Sequence, residues 1–127
     1  MARPKAPELT ERELEIMQVF WDVGPQTAQE VRDELEARGR DLAYTTVATL
    51  IRILTEKGFV EQTNEERPFI YEPIHSFDEV SQSLVNHLLS RVFDGSREKL
   101  LVSLFGKQRL NKKERALLEH IHREQKR

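Results

Sequence analysis

The feature that most constrains this chain is a change of period at Gly58. Through residues 44–57, "YTTVATLIRILTEK", apolar side chains recur every three to four positions, the spacing of one helix face. From Phe59 they alternate with polar ones. Phe59-Val60-Glu61-Gln62-Thr63 and Pro68-Phe69-Ile70-Tyr71-Glu72 read as two strands around the polar turn Asn64-Glu65-Glu66-Arg67. Gly58 suits the left-handed position that closes a helix. Pro68 lacks a donor and predicts an edge position for its strand. Pro73 ends the hairpin.

Two more helices precede this one. Thr10-Glu11-Arg12-Glu13 and Thr27-Ala28-Gln29-Glu30 are capping boxes, in which a threonine and a glutamate three residues on satisfy each other's backbone amides. The first opens a helix with Leu14, Met17 and Val19-Phe20-Trp21 that "DVGP" stops. The second opens a helix with Val31 and Leu35 that ends near Gly39. Helix, helix, helix, hairpin is the order of a winged helix-turn-helix. Downstream the chain is helical: a box at Ser76-Phe77-Asp78-Glu79, a break at Asp94-Gly95, a short helix to Gly106 and a last one capped by Asn111. The expected fold is mainly α. It comprises a loose arm over 1–8, a winged helix-turn-helix domain over 9–74 and a helical dimerisation domain over 75–127.

The third helix has two faces. At about 100° per residue, Val47, Leu50, Ile51 and Leu54 share one arc, and Thr45, Thr49, Arg52 and Glu56 the opposite one. Hydroxyls, methyls and a guanidinium are useful in a major groove, where arginine forks onto guanine and threonine meets phosphate or a thymine methyl. Threonines at a helix start also sit near free amides that bind phosphate. Tyr44, Thr45, Thr46, Thr49 and Arg52 are therefore candidate contacts to double-stranded DNA, with solvated surface as the other reading. Arg67 is the hairpin's one cation and either touches DNA or pairs with a neighbouring glutamate. Charge opposes the DNA reading. Residues 1–75 hold nine Lys/Arg against fifteen Asp/Glu, while residues 76–127 hold eleven against seven. A DNA-binding first half needs a local positive face, and residues 38–57 lean that way with Arg38, Arg40, Arg52 and Lys57.

The downstream helices carry more apolar surface than they can bury alone. Phe77, Val80, Leu84 and Leu88 form one stripe, with Leu101, Leu104, Leu117 and Ile121 following on the next two helices. About 50 residues of three helices make a poor independent core. A shared core in a homodimer is the natural solution; packing back onto the first domain is the other. No metal, cofactor or enzymatic chemistry is expected. His75, His87, His120 and His122 are not spaced for one metal, and the phosphate-loop, dinucleotide and hydrolase motifs are all missing. There is no cysteine, which excludes disulfides and thiolate sites. No apolar run approaches the roughly 20 residues of a membrane span, and the start is not a signal peptide, so a cytoplasmic location is expected.

The stretches "LTERELEIMQVFWD", "TAQEV", "AYTTVATLIRILTEKGFV", "RPFIYEP" and "KLLVSLFGKQRLNKKE" resemble the penicillinase-repressor (BlaI/MecI) family of bacterial transcriptional repressors. The resemblance implies a homodimer, held by its C-terminal helices, that binds a dyad-symmetric operator. It implies relief of repression by cleavage in the C-terminal domain, linked to a membrane-embedded sensor protease. Regulation of antibiotic resistance is the family's best-known output. The cleavage region matches "LVSLFGK", with the bond at Ser103-Leu104 by ungapped alignment, although the asparagine-phenylalanine pair of staphylococcal members is missing there. Copper-responsive relatives use a C-terminal cysteine motif, a route this chain lacks. Thr46 and Thr49 match polar recognition-helix positions and Arg67 matches the wing. Ile53 stands where many members have arginine. A winged-helix protein-interaction module, without sequence-specific DNA binding, is the alternative that the acidic first half favours.

Overall fold

The capping boxes expected at Thr10 and Thr27 both form. The computed structural model describes residues 9–126, so the arm expected over 1–8 lies outside the described residues. The Thr10 hydroxyl accepts the Glu13 amide at 3.2 Å and the Glu13 carboxylate accepts the Thr10 amide at 3.0 Å, opening α1 (Glu11–Val23). Thr27 and Glu30 do the same at 3.1 and 2.9 Å for α2 (Ala28–Ala37). The third helix, α3 (Tyr44–Glu56), ends as the sequence predicts, at a left-handed Gly58 with φ +83°. The Gly58 amide reaches the Thr55 carbonyl at 3.1 Å and the Phe59 amide reaches the Leu54 carbonyl at 2.9 Å. This paired closure satisfies two otherwise orphaned carbonyls and folds Phe59 back toward Leu54, and both join the core.

The sheet differs from a simple hairpin. Strands β2 (Val60–Gln62) and β3 (Ile70–Pro73) pair antiparallel, Glu61 opposite Glu72, but a third strand, β1 (Gln26–Thr27), pairs with β3 on its other side. The order is β1-β3-β2. The strand after Pro68 is thus central, not at an edge. Pro68 stands two residues before β3 begins, so its missing N–H costs the ladder nothing. A two-residue strand that also serves as the cap of α2 leaves no periodicity to read.

The core gathers Ile16, Met17, Val19 and Phe20 from α1, Val31 and Leu35 from α2, and Val47, Ile51 and Leu54 from α3, with Phe59 and Val60 at the start of the hairpin. Leu50 packs partly buried at its margin. Full burial of each large aliphatic or aromatic side chain contributes about 1.5–3 kcal/mol. Trp21 ties the end of α1 to the chain just past the hairpin: its indole N–H donates to the His75 carbonyl at 2.9 Å and its ring meets Phe77 edge to face at 5.4 Å. This is the winged helix-turn-helix that the order of elements predicts.

Three helices follow, α4 (Phe77–Val92), α5 (Arg97–Phe105) and α6 (Lys112–Gln125), capped by Ser76, Ser96 and Asn111. The chain forms two compact units, one ending at Leu84 and one beginning at Val85. The division falls inside α4 and not at 74/75, because Val80 is only 3% exposed in the winged core and Leu84 packs against that core. In α5 and α6 no described residue is buried.

One ion pair sits at the base of the winged unit. Glu13 is 3% exposed, and Lys57 donates to its two carboxylate oxygens at 2.7 and 3.3 Å. Burial pushes the Glu13 carboxyl up. The hydrogen bond from Lys57, the Thr10 amide and the lysine charge together outweigh burial and hold the pKa below the usual carboxylate value. Stabilisation from the pair is therefore fully present above the ordinary carboxylate range and is lost as pH falls through the folded pKa. Because Lys57 is partly exposed, solvent screening moderates the pair. Glu13→Gln keeps an acceptor for the Thr10 amide and is expected to cost about 1–3 kcal/mol near neutral pH, measured by denaturant unfolding. The gap from wild type should close as pH drops below the carboxylate range; a gap unchanged down to strongly acid pH would remove the ionic interaction from the account.

Candidate nucleic-acid interface

The exposed side of α3 is the one its helical wheel predicts. Tyr44, Thr45, Thr49, Arg52 and Glu56 are exposed, while Thr46 and Ile53 are half-buried. Arg52 donates to Glu56 one turn on at 2.8 Å. Both side chains are more than 60% exposed, so the pair is weak and exchangeable. The start of α3 is unusual within this chain. The other five helices open on a side-chain acceptor from Thr10, Thr27, Ser76, Ser96 or Asn111, whereas Ala43 gives α3 none and its first turn holds no acid. An uncapped helix start leaves backbone donors for an outside acceptor.

The wing is built by Asn64. Its amide nitrogen donates to the carbonyls of Glu66 and Pro68 at 2.9 and 3.1 Å, and its side-chain oxygen accepts the Ile70 amide at 2.7 Å. One asparagine thus replaces the backbone pairs that the loop lacks. Arg67 does not pair with its neighbouring glutamates. Its guanidinium stacks 5.4 Å over the Phe69 ring, an arrangement that orients the cation without neutralising it.

The structure brings two of the predicted DNA-facing residues into one cleft. Tyr44 and Arg67 line a cavity of about 460 Å³ closed by Thr27, Gln29, Phe69 and Tyr71. Gln29 and Phe69 escaped the sequence reading. The box at Thr27 could have placed Gln29 on the first turn of α2, but nothing local announces that this turn faces the wing.

The positive face expected over 38–57 is not there. Arg38 bonds Asp22 and Glu34 at 3.0 and 3.1 Å, Arg40 bonds Glu15 at 2.7 Å, Arg52 bonds Glu56 and Lys57 bonds Glu13. The bonds to Glu34 and then Asp22 raise the Arg38 pKa further. Arg38 and Arg40 flank the glycine that turns α2 toward α3 and strap that turn to α1. Within the described part of this unit, Arg12 and Arg67 carry no ion pair. His75 lies 3.1 Å from Glu79, and that bond, with the Ser76 amide, holds the Glu79 carboxyl below its usual value.

Of the residues predicted for dimerisation, Val80 is buried and Leu84 half-buried within the winged unit. Phe77, Leu88, Leu101, Leu104, Leu117 and Ile121 are exposed, Leu104 and Leu117 by 59% and 58%. Ser103 and Leu104 lie in the last turn of α5, both exposed. Among the described residues no three His, Asp or Glu side chains gather as a metal site, and no helix is long and apolar enough to cross a membrane.

A model of the penicillinase repressor family matches residues 9–124. A transcriptional regulator BlaI of Mycobacterium tuberculosis is 39% identical over 100 residues, covering 77% of this chain and 72% of the relative. A methicillin resistance regulatory protein MecI of Mammaliicoccus sciuri is 24% identical over 117 residues, covering 92% and 94%. Among solved structures, the DNA-binding domain of a repressor BlaI matches with a TM-score of 0.51 and 28% identity, over 61% of this chain and 93% of that domain.

Asn64→Ala removes three hydrogen bonds from the wing, and a net loss of about 1–3 kcal/mol is expected at roughly 1 kcal/mol per neutral bond. Amide exchange at Ile70 should accelerate more than at Val47 in α3. Equal acceleration at both sites would mean that Asn64 supports the whole unit and not the wing.

Proposed function

This chain belongs to the penicillinase repressor family, and from that premise we propose that it is a DNA-binding transcriptional repressor that engages a dyad-symmetric operator. The observation that carries the reading is the two-sided α3. Its Val47, Ile51 and Leu54 hold the winged core while its opposite side and uncapped start stand open beside Arg67 of the wing. Thr45, Thr49 and Arg52 read base edges in the major groove, and Arg52 exchanges Glu56 for its DNA acceptor. Tyr44, Thr46 and Arg67 meet phosphates. The family is one of repressors, not of enzymes, and no step of this function makes or breaks a covalent bond on a substrate.

The operator is bound by a homodimer. Support comes from α5 and α6, which have no buried residue of their own, and from the exposed apolar residues from Leu88 onward; a second copy of the same faces is the simplest cover. The winged unit up to Leu84 is the DNA-binding part and the helices beyond it the dimerising part. Repression is relieved in the cytoplasm by cleavage at Ser103-Leu104, triggered by a membrane-embedded sensor protease. That bond lies in the last turn of α5, within the surface the dimer covers, so cutting it would loosen the dimer.

The negative charge of the first half favours a second reading, a protein-interaction module. A gel shift on the duplex upstream of the chain's own gene separates the two. Operator binding should weaken steeply between 50 and about 200 mM salt as phosphate contacts release counterions; no shift, or a flat salt response, selects the interaction module. The double variant Thr49→Ala/Arg52→Ala is expected to lose about 2–5 kcal/mol of operator affinity, from interactions worth 1–3 each. Leu88→Asp should sediment as a monomer and bind the operator far more weakly. A variant that remains dimeric would move the interface away from α4.

A further inference from the structure

Beyond Leu84 the charge runs opposite to that of the winged unit. Residues 85–127 carry eleven Lys/Arg against five Asp/Glu. Every ion pair among the described residues lies before residue 80. The cations of the first unit serve largely as internal struts, whereas Lys107, Arg109, Lys112, Lys113, Arg115 and Arg123 are all exposed and have no carboxylate partner among the described residues.

Two observations separate these cations from ordinary solvation. First, α6 is two-faced: at 100° per residue Leu117, Leu118 and Ile121 share one arc, and Lys112, Arg115 and Arg123 fall on the opposite one around a single acid, Glu119, with Lys113 to one side. Covering the apolar arc leaves the cationic one in water. Second, Lys112 and Lys113 open α6, where the helix dipole is positive and cations are unfavourable. A local rule broken at this cost to the helix marks a position kept for another purpose.

We propose that this cationic face of the second unit binds the sugar-phosphate backbone of duplex DNA, and so adds sequence-independent attraction to the few phosphate contacts of the ion-paired, acidic winged unit. The inference rests on the reading of the chain as a DNA-binding repressor. Point charges spread along a helix suit a repeating polyanion better than a discrete ligand. From Lys112 to Arg123 the helix rises about 16 Å, the axial length of about five phosphates of one strand. Arg115 is anchored by a bond from its guanidinium to the Leu110 carbonyl at 3.2 Å.

The test uses the full chain, its Lys112→Gln/Lys113→Gln/Arg123→Gln variant and the charge-preserving Lys112→Arg/Lys113→Arg/Arg123→Lys variant. Fluorescence anisotropy follows binding to two duplexes, the one upstream of its own gene and a scrambled one of equal length, across 50 to about 300 mM salt. On both duplexes the glutamine variant is expected to show a shallower salt slope, by about 1 for each phosphate no longer neutralised, and roughly tenfold weaker binding at the lowest salt. Its preference for the upstream duplex and its melting temperature should hold, and the charge-preserving variant should keep the wild-type slope. An unchanged slope in the glutamine variant overturns the proposal, as does an equal loss in both variants. Loss of binding to phosphatidylglycerol vesicles with DNA slopes intact overturns it in favour of a membrane surface. If wild type binds both duplexes equally and the slope still falls, the repressor reading fails while this inference stands. If wild type binds neither duplex, both fail.

Discussion

Gly58 turns a helix into a sheet in the space of one residue. With φ at +83° it lets the Phe59 amide return to Leu54, so the chain leaves α3 heading into the core and not past it. Phe59 and Val60 are buried as a result, β2 starts in register, and β3 can lie between β2 and β1. The preceding residue, Lys57, is held by the buried Glu13 at the start of α1. The end of the proposed recognition helix and the beginning of the first helix are thus one structural joint. A Cβ in place of the Gly58 hydrogen would meet nothing within 4 Å but would oppose the left-handed backbone; for alanine the cost lies in the conformation, not in packing.

That joint belongs to a wider economy of charge. Arg38 and Arg40 look like an approach to phosphate when read along the chain. In the fold they reach Asp22 and Glu15 on α1 and fix the turn between α2 and α3. Their partners lie 16 and 25 residues away. The winged unit uses its arginines to set the angle at which α3 is presented. What it then offers is short hydroxyls, one loosely held guanidinium, a helix start without a cap, and a wing cation stacked on an aromatic ring.

Much of the fold was legible because its signals are local. Capping boxes at Thr10, Thr27, Ser76 and Asn111 each span four residues, and the arcs of α3 need only a helical period. Features that depend on distant partners were not. Nothing in Gln26-Thr27 announces a strand, because two residues have no alternation. Pro68 suggested an edge because its rule applies to residues inside a ladder, and the turn built by Asn64 places it outside. Val80 belonged by spacing to the stripe that continues through Leu88, yet its position on the first turn of α4 takes it into the winged core. For the candidate interface, Thr45, Thr49 and Arg52 were readable as one exposed arc, whereas the cleft that joins Tyr44 to Arg67 exists only once α2, α3 and the wing are assembled.

In α5 and α6 no described side chain is buried, so these helices hold little folding free energy of their own. In the homodimer proposed above their order would be lent by the second copy, and a loan of that kind follows mass action. For such a unit dilution would act as a denaturant, and the persistence of its helices would become a matter of copy number.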